Sequence, residues 1–449
     1  MLTDTPSPAA PLAWLVDTAR RLLAPMTVVR SAIILSFFLY ERPYVLRLFT
    51  GEQSLALPLW NVPWADDRRF FVVLEAVYVG ASLLACFRRF VVPACIAAAT
   101  ASILLVSSDL TYRLQFAFLP GGALLAFALS EILDRKGQRR VDLPFVLLVG
   151  SVYGFASFHK YWNFQWMKTL LPSSVFGASG GPLPSLFSSP ENPLLDLVVW
   201  TVVPYEALLA VLVVTRRWLK LRLFCVSLFH WLLVLLVPFI WHVSLFMLSL
   251  NLYLAALQER SGRERMLKGR NWYVLAGAEL LFFLGKGLPS LIPGAAGSFL
   301  GAASFASLAL FPVFFLYWPF WRSERAPDEA PVSSRPLRGF ARAAVAAFAA
   351  LVLAFGFSPF LLEKPYSVLS LGWSMFAGGE YRDGTYYTLR TPATPCFTFP
   401  AVYNMIWCQG NDRQLTYLAF RRADLERLKR LFERRSCGGP PLQVESAKF

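Results

Sequence analysis

A small set of ionisable side chains interrupts otherwise apolar runs of this sequence: Arg30, Asp109, His159, Lys160, Glu206, His230 and His242. Such groups are expensive in apolar surroundings, which makes each a candidate for function. Lys160 has the most chemistry open to it. Partial withdrawal from water favours the neutral amine, a competent general base or nucleophile. A nearby histidine could share or relay the proton, and His159 and His230 are the candidates. Each residue also has a plainer reading. Lys160 could snorkel from a helix end to lipid headgroups, and His159 could be an interfacial residue. His230 could hydrogen-bond a neighbouring helix. Arg30 and Glu206 could form a structural ion pair, and Asp109 could serve as a loop or cap residue.

The elements that must position these groups are long apolar segments. Of 449 residues, 56% are hydrophobic and only 16% charged, against about 25% charged in a usual soluble domain. Mean hydropathy is +0.50. Repeated apolar runs of about 18–22 residues read as membrane spans. They fall at roughly 26–46, 70–86, 90–107, 114–133, 142–160, 193–214, 222–239, 242–258, 272–290, 298–320 and 340–361. The expected fold is therefore an all-α polytopic membrane protein with about eleven transmembrane helices. No signal-peptide cleavage pattern precedes Met26.

The connections alternate in charge. Arg20 and Arg21, Arg88 and Arg89, the run from Arg135 to Arg140, Arg216 to Arg222, Arg260 to Arg270 and Arg322 to Arg342 place about 22 basic residues on one side, against about eight on the other. This puts the N-terminus in the cytoplasm and, after an odd number of spans, the C-terminus outside. Asp109, His159, Lys160, His230 and His242 then share the outer half of the membrane, while Arg30 and Glu206 lie towards the inner half. The organisation reads as a cytoplasmic segment (1–25), a transmembrane core (26–260), further transmembrane helices (261–361) and a small mixed α/β outside domain (362–449). In the last of these, Tyr386–Leu389 reads as a strand and Ala423–Arg435 as a basic amphipathic helix. An oxidising outer compartment would permit a Cys396–Cys408 disulfide, leaving Cys437 over.

The net charge of +15 sits in short runs between apolar segments, so membrane orientation accounts for it and no nucleic-acid partner is expected. No HExxH, CxxC or Cys/His cluster is present, and no protein-bound metal is expected. The stretch Gly177–Gly181 lacks the Lys-Ser/Thr of a phosphate-binding loop. Gly297-Ser298-Phe299-Leu300-Gly301 reads as a helix-packing motif.

Four passages occur in an order that resembles a known family. The first is Val29-Arg30-Ser31-Ala32-Ile33-Ile34-Leu35. The second contains Tyr153, Ala156, Ser157, Lys160 and, six residues later, Trp166. The third is Pro204-Tyr205-Glu206 followed by Arg216-Arg217. The fourth is Leu228-Phe229-His230, with Met247 in the next span. Leu371–Phe376 adds a weaker echo. Together they resemble the horizontally transferred transmembrane (HTTM) family, bacterial relatives of the membrane domain of vitamin K-dependent gamma-carboxylase. The chain departs from the family pattern at Ser157, where Gly is usual, and at Met167-Lys168-Thr169. It also lacks the large outside β-rich domain of the animal enzyme.

The resemblance implies a multi-pass protein of the bacterial inner membrane. It implies that Lys160 is a base acting on a reduced, vitamin K-like quinone, with His230 at the position of a membrane histidine linked to activity. Arg30 and Glu206 match framework positions. The expected activity is carboxylase-like lyase chemistry or modification of an exported peptide. The alternatives are a non-enzymatic maturation or assembly factor that binds a secreted peptide or protein, with the basic outside helix contacting a partner or lipid headgroups, and a transporter, against which few acidic residues lie within spans.

Overall fold

The computed structural model describes residues 25–40, 68–108, 118–138, 140–162, 192–216, 218–236, 241–261, 264–265, 277, 324–325, 339–361, 385–392, 407–411, 414–419, 426, 429–430 and 443–448. These residues are mostly helical. The helices are α1 (Pro25–Tyr40), α2 (Arg68–Ala85), α3 (Val91–Ser108), α4 (Phe118–Arg135), α5 (Leu143–Trp162), α6 (Pro193–Thr215), α7 (Leu219–Leu236), α8 (Trp241–Ser261) and α9 (Phe340–Leu361). Each coincides with an apolar run of the sequence. The two runs expected at 272–290 and 298–320 lie outside the described residues, apart from helical Gly277.

Local chemistry sets several boundaries. Asn192 caps α6, its side chain accepting from the Leu194 amide at 2.9 Å, with Pro193 as the first helical residue. Both choices suit a helix start, where amides lack intrahelical acceptors and proline forfeits nothing. The helix ends at Arg216, which takes a left-handed conformation (φ 58°). Trp218 does the same (φ 53°), so a very short link turns the chain from α6 into α7.

Helix α5 is the hub, touching α4, α6, α8 and α9. Against α4 and α8 the contact is aromatic: Phe127, Phe145 and Tyr253 pack with ring centroids 4.8–5.0 Å apart. Ion pairs gather the connections at the N-terminal end of α5. Arg88, between α2 and α3, lies 3.5 Å from Asp134 at the end of α4. Arg216, after α6, lies 3.3 Å from Asp142, which immediately precedes α5. Gln258, near the end of α8, donates to the same carboxylate at 3.2 Å and accepts from Arg222 at 2.7 Å. Arg222 corrects the sequence reading. Its spacing groups it with the basic connection after α6, yet it lies inside α7 and is fully buried.

Two of these helices, over Leu143–Tyr161 and Asp196–Thr215, are long and apolar enough to cross a membrane. Shorter apolar helices cover Val72–Ala85, Val91–Leu105, Val243–Gln258 and Phe340–Ala354. The strands are β1 (Glu264–Arg265), β2 (Glu324–Arg325), β3 (Thr385–Pro392), β4 (Trp407–Asn411), β5 (Gln414–Ala419) and β6 (Val444–Lys448). Strand β1 pairs antiparallel with β2, Glu264 opposite Arg325. The other four form an antiparallel sheet in the order β4–β5–β3–β6, with Tyr387 opposite Ala419 on one side and Ser446 on the other. The strand expected at Tyr386–Leu389 falls within β3. Of the expected helix at Ala423–Arg435, Glu426, Lys429 and Arg430 are described, and they are helical.

Candidate active site

One stripe of α5 builds the first half of the site. Gly150, Gly154, Ser157 and Lys160 recur every three or four residues and so share a helix face. A Cβ on Gly150 would lie 3.0 Å from Val214 of α6, and one on Gly154 would lie 3.8 Å from Ala210. The Ser157 hydroxyl donates to the Val203 carbonyl at 2.8 Å. These small residues bring the two antiparallel backbones close, the usual packing device between apolar helices. Side chains lean towards the N-terminus of their own helix. Lys160 and Glu206 therefore reach towards each other from opposite directions, and they meet in a hydrogen-bonded ion pair between Lys160 Nζ and Glu206 Oε1. Lys160 is 4% exposed and Glu206 1%, so the lysine does not snorkel. Glu206 Oε2 has no hydrogen-bond partner among the described residues.

Tyr153 builds the second half. Its hydroxyl lies 2.7 Å from His230 Nε2 of α7 and 3.2 Å from Asn251 Nδ2 of α8. The Asn251 amide is oriented unambiguously, because Nδ2 also donates to the Met247 carbonyl at 2.8 Å and a carbonyl can only accept. Asn251 thus donates to the tyrosine oxygen. With the tyrosine proton given to His230 Nε2, the remaining imidazole proton sits on Nδ1; with Nε2–H donating to the tyrosine instead, Nδ1 is an acceptor. His230 Nδ1 and Asn251 Oδ1 are buried without partners among the described residues. Phe229 stacks on Tyr205 at 5.5 Å, and the Tyr205 hydroxyl donates to the Cys225 carbonyl at 3.0 Å. The Pro204-Tyr205-Glu206 and Leu228-Phe229-His230 passages therefore interlock. Tyr153 and Lys160 are seven residues apart on α5, two turns along one face, so the two halves occupy neighbouring levels about 10 Å apart along the helix.

The remaining candidates scatter. His159 is buried but turned to another side of α5, where Nε2–H donates to the Gly356 carbonyl of α9 at 3.0 Å. The Arg30–Glu206 pair is not formed: Glu206 is engaged by Lys160, and Arg30 donates to the Cys86 carbonyl at 3.2 Å. His242 lies in the first turn of α8, with its side chain outside the described set. Asp109, Trp166 and Cys396 lie outside the described residues, and Cys408 falls in β4, so the Cys396–Cys408 bridge lies outside them too. Asn251 was missed as a candidate, although an amide in the apolar run Leu248–Leu254 was a visible signal. Tyr153 was noticed only as part of a motif. Among the described residues no group of His, Cys, Asp and Glu could hold a metal ion.

No family model matches the sequence, and comparisons with curated proteins and with solved structures find no match. The chemical case therefore rests on the geometry. A buried lysine–carboxylate pair lies beside a tyrosine–histidine–asparagine chain, and each half leaves acceptors or donors unused.

Proposed function

We propose that the chain is a polytopic membrane protein of the HTTM type, with about eleven transmembrane helices, its N-terminus cytoplasmic and its C-terminus outside. In this reading Lys160 acts as a base towards a lipid-soluble quinol or an exported peptide. Support for the membrane part comes from α6, whose apolar side chains are largely uncovered: Leu197, Trp200, Val211 and Val214 are 54–62% exposed. Apolar helix surface left uncovered by protein suits a lipid environment. The clustering of Arg88, Arg135, Arg140 and Arg216 at one end of the bundle supports the sidedness. The β1–β2 pairing brings the two ends of the intervening segment together, as an even number of crossings there requires.

The single observation that carries the chemical part is the Lys160–Glu206 pair itself. Its shared proton can sit on either partner, as ammonium and carboxylate or as amine and carboxylic acid. The second arrangement offers a neutral amine for proton abstraction, with the O–H bond of the substrate breaking as an N–H bond forms. A reduced quinone, when bound, would supply an acidic phenolic hydroxyl. Glu206 Oε2 and Asn251 Oδ1, without partners among the described residues, fit the hydroxyls of such a group as acceptors, and His230 Nδ1, when it carries the proton, fits as a donor to an oxygen anion. Tyr153 holds His230 in that tautomer when its hydroxyl donates to Nε2.

The test compares Lys160→Ala and His230→Ala in the native host by mass spectrometry of exported peptides and extracted quinones. Loss of a wild-type modification in both variants, with the proteins still folded in the membrane, is the expected result. Unchanged peptides and quinones would overturn the chemistry and leave the pair as structural. The chain would then be a non-enzymatic maturation or assembly factor, consistent with a buried ion pair serving fold specificity alone.

A further inference from the structure

A cavity of about 580 Å³ lies apart from the Lys160 site, between α5, α6 and α9. Its walls run along α5 from Leu143 to Phe158, roughly 22 Å at the helical rise of 1.5 Å per residue. The lining is almost wholly apolar and partly open: Phe158, Val214, Leu353 and Phe357 are 42–60% exposed. Its one charged end holds Arg140 and Arg216. The two guanidiniums are close enough to repel. Asp142 pairs with Arg216, whose Nε lies 3.3 Å away, and its carboxylate also accepts from Gln258 Nε2 at 3.2 Å. Arg140 is exposed and takes part in none of the ion pairs among the described residues. Two arginines thus stand at the charged end of a long apolar groove, and only Arg216 is paired with a carboxylate there.

We propose that this groove seats an anionic phospholipid, its phosphate between Arg140 and Arg216 and an acyl chain along α5 and α9. A phosphate oxygen would accept from both guanidiniums and relieve their repulsion. Basic pockets between transmembrane helices on the cytoplasmic face bind anionic headgroups in this way. The volume lies within the range of small-molecule sites, about 300–1,000 Å³. The charge at the mouth selects an anionic lipid over a zwitterionic one, and the apolar walls select a lipid over free phosphate. The proposal rests on the membrane reading above and is independent of Lys160 chemistry.

The test uses the full chain purified in mild detergent, with native mass spectrometry for retained lipid and thermal unfolding with added phosphatidylglycerol or phosphatidylcholine. Wild type is expected to retain anionic phospholipid and to be stabilised by phosphatidylglycerol alone. Arg140→Gln, an exposed position, should unfold at the wild-type temperature without lipid and bind phosphatidylglycerol about fivefold more weakly. Ala349→Phe, which fills the groove from α9, should abolish retention with both arginines intact. Equal binding of phosphatidylglycerol by all three proteins, or equal stabilisation by phosphatidylcholine, overturns the assignment. A chain recovered without detergent overturns the membrane reading as well; one that needs detergent but shows no anionic preference overturns the groove alone.

Discussion

Replacing Lys160 by Met removes the cation of a pair in which neither partner reaches water, with side-chain exposures of 5% and 1%. Glu206 already has one oxygen without a partner among the described residues, so the variant leaves both oxygens unsatisfied by them. Breaking a buried pair on one side costs about 3–5 kcal/mol. Because Glu206 can take up a proton and become neutral, the lower end is the expected value, about 3 kcal/mol. The double variant Lys160→Met with Glu206→Leu replaces both charges by apolar groups and should recover most of that loss, since such replacements are often neutral or stabilising. Equilibrium unfolding in detergent micelles reads the four corners of the cycle, and the coupling between the sites should exceed about 1 kcal/mol. Activity separates the two meanings of the pair. If Lys160 is the base, the double variant is stable and inactive; if the pair is structural, it is stable and functional. A Lys160→Met protein within about 0.5 kcal/mol of wild type, the usual effect of a surface change, would refute the buried pair and all that is built on it.

Tyr153→Phe should cost about 1–3 kcal/mol, because it strips His230 Nε2 of its partner inside the protein; Asn251→Leu on top of it should add less than it does alone, since both belong to one chain. Gly356→Ala should lower the unfolding midpoint, as the added Cβ would overlap the ring of Phe155, a misfit of about 1–3 kcal/mol. Phe155→Leu in the same chain should restore most of it. Asp142→Asn should destabilise by about 1–3 kcal/mol, measurable by the same unfolding assay, because it removes the charge facing Arg216 and weakens the acceptor for Gln258.

Among the described residues, nine apolar runs of the sequence mark nine helices, with ends shifted by a few residues, because helix length and continuous apolarity are local properties. The lateral arrangement is not local. Where α5 touches α8, Tyr153 meets Asn251, residues 98 apart, and no periodicity in either helix names the other. The same limit explains Arg222. Its position beside Arg216 and Lys220 reads as one more basic connection, and only the placement of Asp142 and Gln258 shows why a guanidinium is tolerated inside α7. The small-residue spacing that marks close helix packing is legible at Gly297–Gly301, and Gly150, Gly154 and Ser157 carry it as well, on the face of α5 that meets α6.

The depth of Glu206 illustrates how a correct span can still misplace a side chain. Counting from the basic end of α6 puts Glu206 in the inner half, and counting along α5 puts Lys160 in the outer half, so Arg30 looks like the nearer partner. The packing register says otherwise. Gly150 faces Val214 and Gly154 faces Ala210, so in an antiparallel pair Lys160 stands opposite a residue near Pro204. Glu206 is then offset by only two residues, about 3 Å along the axis, well within the reach of a lysine that leans back towards its own N-terminus. The ion pair therefore follows from helix direction and register together, and each can be tested without the other. Paired cysteines at 154 and 210 should cross-link under mild oxidation, because the two backbones are held close at that level, whereas cysteines at 154 and 206 should not. The reverse pattern would shift the register by a turn and separate Lys160 from Glu206.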